Sequence, residues 1–191
     1  MPLSFCSNFL FVPGTRPERF AKALDSGAGG VIIDLEDAVA PEDKETARSA
    51  IRSAWPSFTN DQKKRLVIRS NAPGSQFYAA DLILAQELNV ACLLIPKSES
   101  ADQINGAAQV LPNTALIPMI ETAIGLDHLR EIAHANQVIR LALGNLDLQV
   151  DLGMVCDAQE TELQTARYQI VLASCVAQIA PPVDGVTPST D

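Results

Sequence analysis

The sequence predicts an α/β protein with a parallel sheet, wound in the manner of a TIM (β/α)8 barrel. Three observations carry this. Short apolar runs alternate with helical periodicity along the chain, the rhythm of successive βα units. The runs are dense in Val, Ile and Leu rather than alternating with polar residues, as strands buried on both faces must be. No GxGxxG follows the first run, so an open, dinucleotide-binding sheet is only weakly supported.

Each element has its own signal. Residues 8–12 form a first apolar run, stopped by the turn pair Pro13-Gly14. Residues 17–26 have helical spacing, with Pro17 suited to a first turn and Gly27 to a stop. Residues 31–35 are a second strand. Residues 41–54 are a second helix, opened by Pro41-Glu42-Asp43, the acidic first turn that a helix dipole favours. Strand three is 65–70 and helix three 75–88. Strand four is 91–95, ended by Pro96, and helix four is 100–111. Strand five is 115–120, helix five 123–135 and strand six 138–143. Residues 160–179 read as a long striped helix and 183–186 as a short seventh strand. With about seven strands, against about 250 residues for a complete barrel, residues 1–191 read as a single, incomplete TIM-barrel domain.

Bulk properties narrow the function. The 191 residues carry 14 basic and 23 acidic side chains, a net charge of −9. Nucleic acid is an unsuitable partner, because its binding rests on Lys and Arg neutralising phosphates. A small anion is not excluded, since one local Arg or metal ion outweighs the global field. No apolar stretch is long enough for a membrane span, and the residues from Met1 to Cys6 lack a signal peptide's basic and apolar regions. The four cysteines are widely spaced, with no CxxC pair, which fits a reducing, cytoplasmic setting. Cys92 and Cys175 lie in apolar runs and are expected to be buried.

The chemistry sits at the strand ends. Glu121 closes strand five in Ile120-Glu121-Thr122, and Asp147 follows strand six in Gly144-Asn145-Leu146-Asp147. In a parallel barrel the C-terminal strand ends converge on one face, where catalysis takes place. Two carboxylates there suit Mg²⁺, which takes oxygen ligands and leaves positions for water and substrate. Arg69, ending strand three, offers a guanidinium that could grip a substrate carboxylate bidentately. Each has a competing structural role: helix-start carboxylate for Glu121, cap for Asp147, ion-pair partner for Arg69. Glu36 and Asp37, after strand two, are placed to position water at the metal or Arg69, or are plain loop carboxylates. Arg16, after strand one, is a candidate phosphate or active-site contact. Lys44 and Arg48 lie one helical turn apart, which reads as a solvated face or salt-bridge lattice, a phosphate contact or a means of fixing Glu36. His128 and His134 have no partner in sequence and read as surface or packing residues.

Several segments, in order, resemble the citrate lyase β-subunit group of the HpcH/HpaI aldolase/citrate lyase family. They are Leu10-Phe11-Val12-Pro13-Gly14 with residues 16–20, Asp34-Leu35-Glu36-Asp37-Ala38-Val39 with Lys44 and Ala47-Arg48, Val67-Ile68-Arg69-Ser70-Asn71, Pro96-Lys97, Ile120-Glu121-Thr122, and Gly144-Asn145-Leu146-Asp147-Leu148 with Asp151-Leu152-Gly153. The resemblance implies a Mg²⁺-dependent lyase (Mn²⁺ substituting) that cleaves or forms a C–C bond in 3-hydroxyacyl-CoA thioesters such as citryl-, malyl- or citramalyl-CoA. The products would be a 2-oxo acid, oxaloacetate among them, and an acyl-CoA. It implies Glu121 and Asp147 as metal ligands, Arg69 as the substrate-carboxylate residue, and a homo-oligomer, often a homotrimer. Alternatives within the same site are an aldolase on free 4-hydroxy-2-oxo acids, a malyl-CoA thioesterase, and a non-catalytic subunit that binds oxo acid and CoA. Two positions depart from the pattern: Leu146 stands where an acidic residue is common, and Ile124 follows Glu121-Thr122-Ala123. The family's last βα unit and C-terminal segment have no counterpart before Asp191, so an acid/base group carried there has no position in this sequence.

Overall fold

The computed structural model describes residues 3–187. Six strands form one sheet: β1 (Phe9–Pro13), β2 (Gly30–Asp34), β3 (Leu66–Arg69), β4 (Cys92–Ile95), β5 (Ala115–Ile120) and β6 (Ala142–Leu143). All pairs are parallel and the spatial order equals the chain order. An order that never reverses has no switch point, which separates a barrel-type arc from a doubly wound sheet. Between the strands run α1 (Phe20–Leu24), α2 (Lys44–Ala54), α3 (Asn60–Lys63), α4 (Tyr78–Glu87), α5 (Ala101–Val110), α6 (Ala123–Asp127) and α7 (Leu129–Ala133). After β6 come α8 (Asn145–Asp151) and α9 (Gln164–Val176).

The period of two along each strand sorts its side chains into two cores. Val31, Ile33, Leu66, Ile68, Leu93, Ile95, Leu116 and Ile120 pack outward against the helices. Ile32, Val67, Cys92, Leu94, Ile117, Met119 and Ala142 face inward, with Leu3 and Phe9 among them. Double burial explains why these strands read as unbroken apolar runs.

Several expectations change. The helix of 123–135 breaks at His128, whose Nδ1 hydrogen-bonds the Glu99 carbonyl (2.8 Å) and whose backbone leaves helical geometry. The sixth strand shortens to Ala142–Leu143, with Val138 touching Leu116 in one isolated bridge. Between them Arg140 is buried and donates to the Leu3 and Cys6 carbonyls. The seventh strand reduces to a bridge from Val183 to Ala142. Beyond it side chains capture the chain: Asp184 pairs with Arg167, and the Val186 amide donates to Asn145 Oδ1. The α3 and α8 helices were not expected. Cys175 is exposed on α9 and not buried. Cys92 is buried, and that burial pushes its thiol up to about 12. No helix among the described residues is long and apolar enough to cross a membrane.

Candidate functional site

The strand register builds the first half of the site. Asp34 and Arg69 are direct neighbours across β2 and β3, on the side of Ile32 and Val67 that faces inward. Neighbouring strands lie about 4.8 Å apart, so the two side chains meet without reaching. Arg69 Nε donates to Asp34 Oδ1 and Nη2 to Oδ2, both at 2.7 Å. This is a bidentate pair, buried on both sides. Burial lowers the Arg69 pKa, but the hydrogen bonds and charge of Asp34 outweigh it, so Arg69 is held protonated. The guanidinium also lies 5.1 Å from the Phe11 ring centroid. Its Nη1 end reaches toward Glu36 Oε2 (3.0 Å) and Asp37 Oδ2 (3.5 Å). The Glu36 contact is out of line for a hydrogen bond, and that buried oxygen has no hydrogen-bond partner.

A second layer holds this half in place. Lys44, at the start of α2, donates to the Leu35 and Glu36 carbonyls, each at 2.7 Å, and so fixes the loop carrying Glu36. Arg48, one turn on, pairs with Asp81 of α4 at 2.8 Å. Asp81 in turn accepts from the backbone and side-chain amides of Asn71, each at 2.7 Å, immediately after Arg69 and Ser70. Lys44 and Arg48 therefore do not form a solvated face. Both are buried because their charges meet carbonyls and a carboxylate inside the fold. Lys44, expected as a substrate contact, has its ammonium bonded to two carbonyls and lies outside the cavity lining. Arg16 also stands apart from the cavity. It is half exposed, paired with Glu18 at 2.6 Å, and outside the lining.

The other half stands at the ends of β4, β5 and β6. Thr122 caps α6 by accepting from the Gly125 amide, which starts a helix directly after Glu121. A Cβ on Gly125 would sit 2.5 Å from the Ser98 carbonyl, so the α6 start lies tight against the β4 loop. A Cβ on Gly144 would sit 2.2 Å from Glu121 Oε2, so the first residue after β6 must be glycine for Glu121 to fit. Glu121 is buried. Its Oε1 accepts from the Lys97 amide at 2.8 Å. Burial, then the charge of Glu36, pushes its carboxyl up to about 7 against the opposing pull of Lys97. Glu36 is also raised, chiefly by burial.

Lys97 joins these groups. Its ammonium lies 2.8 Å from Glu36 Oε1, 3.1 Å from Asp147 Oδ2 and 3.7 Å from Glu121 Oε1. The sequence places Lys97 after strand four but assigned it no role, and Asp34 and Asp81 also went unassigned. A rule that weighs every charged residue within two positions of a strand end would have selected Asp34 and Lys97. Asp81 lies mid-helix and gives no such signal.

Several of these groups border a cavity of about 850 Å³, lined by Asp34, Asp37, Arg69, Glu121, Asp147 and Leu146 and floored by Ile32, Val67, Leu94 and Ile117, with Lys97 and Glu36 outside the lining. That volume suits a small-molecule ligand. Of the expected site residues, the structure brings Arg69, Asp37, Glu121 and Asp147 to the cavity, with Glu36 just beneath. Five carboxyl groups (Asp34, Glu36, Asp37, Glu121, Asp147) lie with two cations (Arg69, Lys97), so acidic groups outnumber basic ones. Oxygen donors with uncompensated charge fit a hard divalent cation. Among the described residues no group of three His, Cys, Asp or Glu is arranged to hold a metal. Glu121 and Asp147 both line the cavity and are the candidate carboxylates for such a cation.

The chain matches the family described as HpcH/HpaI aldolase/citrate lyase over residues 8–190. It is 39% identical over 145 residues to a citrate lyase subunit beta-like protein of Mycobacterium tuberculosis, covering 76% of this chain and 50% of that protein. It is 32% identical over 144 residues to a (3S)-malyl-CoA thioesterase of Cereibacter sphaeroides, covering 75% and 50%. The chain spans about half the length of these relatives. Among solved structures it is similar to the citrate lyase beta subunit from M. tuberculosis complexed with oxaloacetate and magnesium. That match has a TM-score of 0.85 and 33% identity, covering 99% of this chain and 82% of the other. It is also similar to CitE from the same organism in complex with magnesium, acetoacetate and coenzyme A, with a TM-score of 0.86 and 32% identity, covering 98% and 68%.

Proposed function

We propose the following function for this chain, which belongs to the HpcH/HpaI aldolase/citrate lyase family. It serves a Mg²⁺-dependent lyase that cleaves or forms the C–C bond of a 3-hydroxyacyl-CoA thioester, with a 2-oxo acid and an acyl-CoA on the other side of the reaction. The observation that carries this reading is the convergence of Glu121, Asp147 and Lys97 beside the Asp34-held Arg69, on the C-terminal strand face. The solved structures similar to this chain with magnesium and oxaloacetate, or with magnesium and coenzyme A, support the ligand classes.

Glu121 and Asp147 would hold the ion, which when bound supplies Lewis-acid polarisation of an oxo or hydroxyl oxygen. The chain's own residues do the rest. Arg69 orients a substrate carboxylate. Its Nε–Nη2 edge is held by Asp34, so the guanidinium cannot rotate, and the Nη1 end is what it presents to the cavity. With that edge occupied, an end-on contact through Nη1 fits the substrate carboxylate better than a side-on clamp. Asp37 is largely exposed beside Arg69 and accepts hydrogen bonds from water or a substrate hydroxyl. Glu36 is buried and acts on Arg69 and Lys97 rather than on substrate.

The relative named as a (3S)-malyl-CoA thioesterase favours a second reading, hydrolysis of the thioester in the same cavity. One experiment separates the two. The chain is incubated with citryl-, malyl- and citramalyl-CoA, with Mg²⁺ and with chelator, and 2-oxo acid and free CoA thiol are assayed in parallel. Chelator-sensitive oxo acid release without stoichiometric thiol is the expected result. Thiol release without oxo acid would replace the lyase with the thioesterase. Neither product from any thioester would overturn both as activities of this chain.

A further inference from the structure

Lys97 occupies an unusual position. It follows Pro96 and its backbone is left-handed, with φ of +46°, a conformation unfavourable to a residue with a Cβ. The conformation lets one residue act at two points on the acidic cluster. Its amide donates to Glu121, and its ammonium reaches Glu36, Asp147 and Glu121 from three different strand ends. The ammonium thus lies among the same oxygens to which the proposed function assigns the metal. Two cations a few ångströms apart in a half-buried site repel strongly, so both cannot hold these positions at full strength.

The side chain has a way out. Lys97 and Asp147 are about two-fifths exposed, whereas Glu36 and Glu121 are buried. The long stem can swing toward solvent while the Lys97 amide stays on Glu121.

We propose that Lys97 is a resident counter-ion of the metal site. Its ammonium holds Glu36, Glu121 and Asp147 together in the metal-free protein, and an entering divalent cation displaces it. Lys97 is then a positioning residue that sets metal affinity. The proposal rests on the reading of Glu121 and Asp147 as the metal ligands.

The test is calorimetric titration of Mg²⁺ into wild type, Lys97→Met, Lys97→Gln and Glu121→Gln, with melting curves of each, metal-free and Mg²⁺-saturated. Removing the competing charge is expected to tighten Mg²⁺ binding about tenfold in Lys97→Met and Lys97→Gln. Both variants should melt lower than wild type without metal and draw level with it at saturating Mg²⁺. Recovery of a variant folded only with Mg²⁺ would be the same result in stronger form. Unchanged or weaker Mg²⁺ binding in both Lys97 variants, with binding lost in Glu121→Gln, would overturn the counter-ion role and leave the metal site standing. No Mg²⁺ binding by wild type, or full binding by Glu121→Gln, would overturn the metal reading and this proposal with it.

Discussion

The two halves of the strand-end face use the same residue types to opposite ends. On the β2–β3 side, Arg69 and Asp34 satisfy each other with two 2.7 Å bonds, and Lys44 and Arg48 find carbonyls and Asp81. Positive and negative groups there are matched, and the chains that carry them are fixed. On the β4–β6 side, Glu121 and Asp147 share one lysine with Glu36 reaching over from the β2 loop, and Glu121 is crowded against Gly144 and raised toward neutrality. A matched buried pair stabilises a fold at best modestly, but breaking it is costly. An unmatched cluster gives up stability and gains a site that a cation completes. The balance of charge, more than the presence of charge, separates scaffold from site.

The largest effect expected from this contrast is at Arg69. Arg69→Ala leaves Asp34 buried and unpaired, and should cost about 3–5 kcal/mol, measured as a shift of the urea unfolding midpoint. A small loss would mean that the β2–β3 side is less tightly matched than its geometry indicates. Next comes Lys44→Met, which strips the donors from the Leu35 and Glu36 carbonyls. A loss of about 1–3 kcal/mol is expected in the same assay, with Mg²⁺ affinity little changed. A large drop in Mg²⁺ affinity would show that the loop held by Lys44 belongs to the metal side after all. The smallest stability change is expected at Glu121→Gln, within about 1 kcal/mol of wild type. The amide oxygen can still accept the Lys97 N–H, and a poorly compensated buried charge is removed. That variant should nonetheless lose Mg²⁺ binding. Destabilisation on the Arg69 scale would erase the distinction between the halves.

Much of the site was legible along the chain because a parallel barrel ties chemistry to strand ends. Glu121, Asp147, Arg69 and Asp37 were found by locating where apolar runs stop, and all four border the cavity. Lys44 and Arg48 stay open in the sequence because one-turn spacing on a helix is the same for a solvated face and a buried ionic layer. The partners that decide between them, the Leu35 and Glu36 carbonyls and Asp81, come from the adjoining loop and another helix. Arg16 stood at a strand end like the others, yet its side chain turned to Glu18 next to it. The break at His128 depended on the Glu99 carbonyl, which periodicity within residues 123–135 does not contain.

By itself the sequence determined the parallel α/β order, the identity of the strands and the residues available at their ends. Those follow from local periodicity and from the requirement that a strand covered on both faces be apolar throughout. Only the tertiary structure decided which charges meet. The register set Asp34 beside Arg69, the absence of a Cβ at Gly144 admitted Glu121, and the left-handed turn at Lys97 aimed one ammonium at three strands. Electrostatic energy depends on distances between residues far apart in the chain and on how much water lies between them. Neither quantity exists until the strands are side by side.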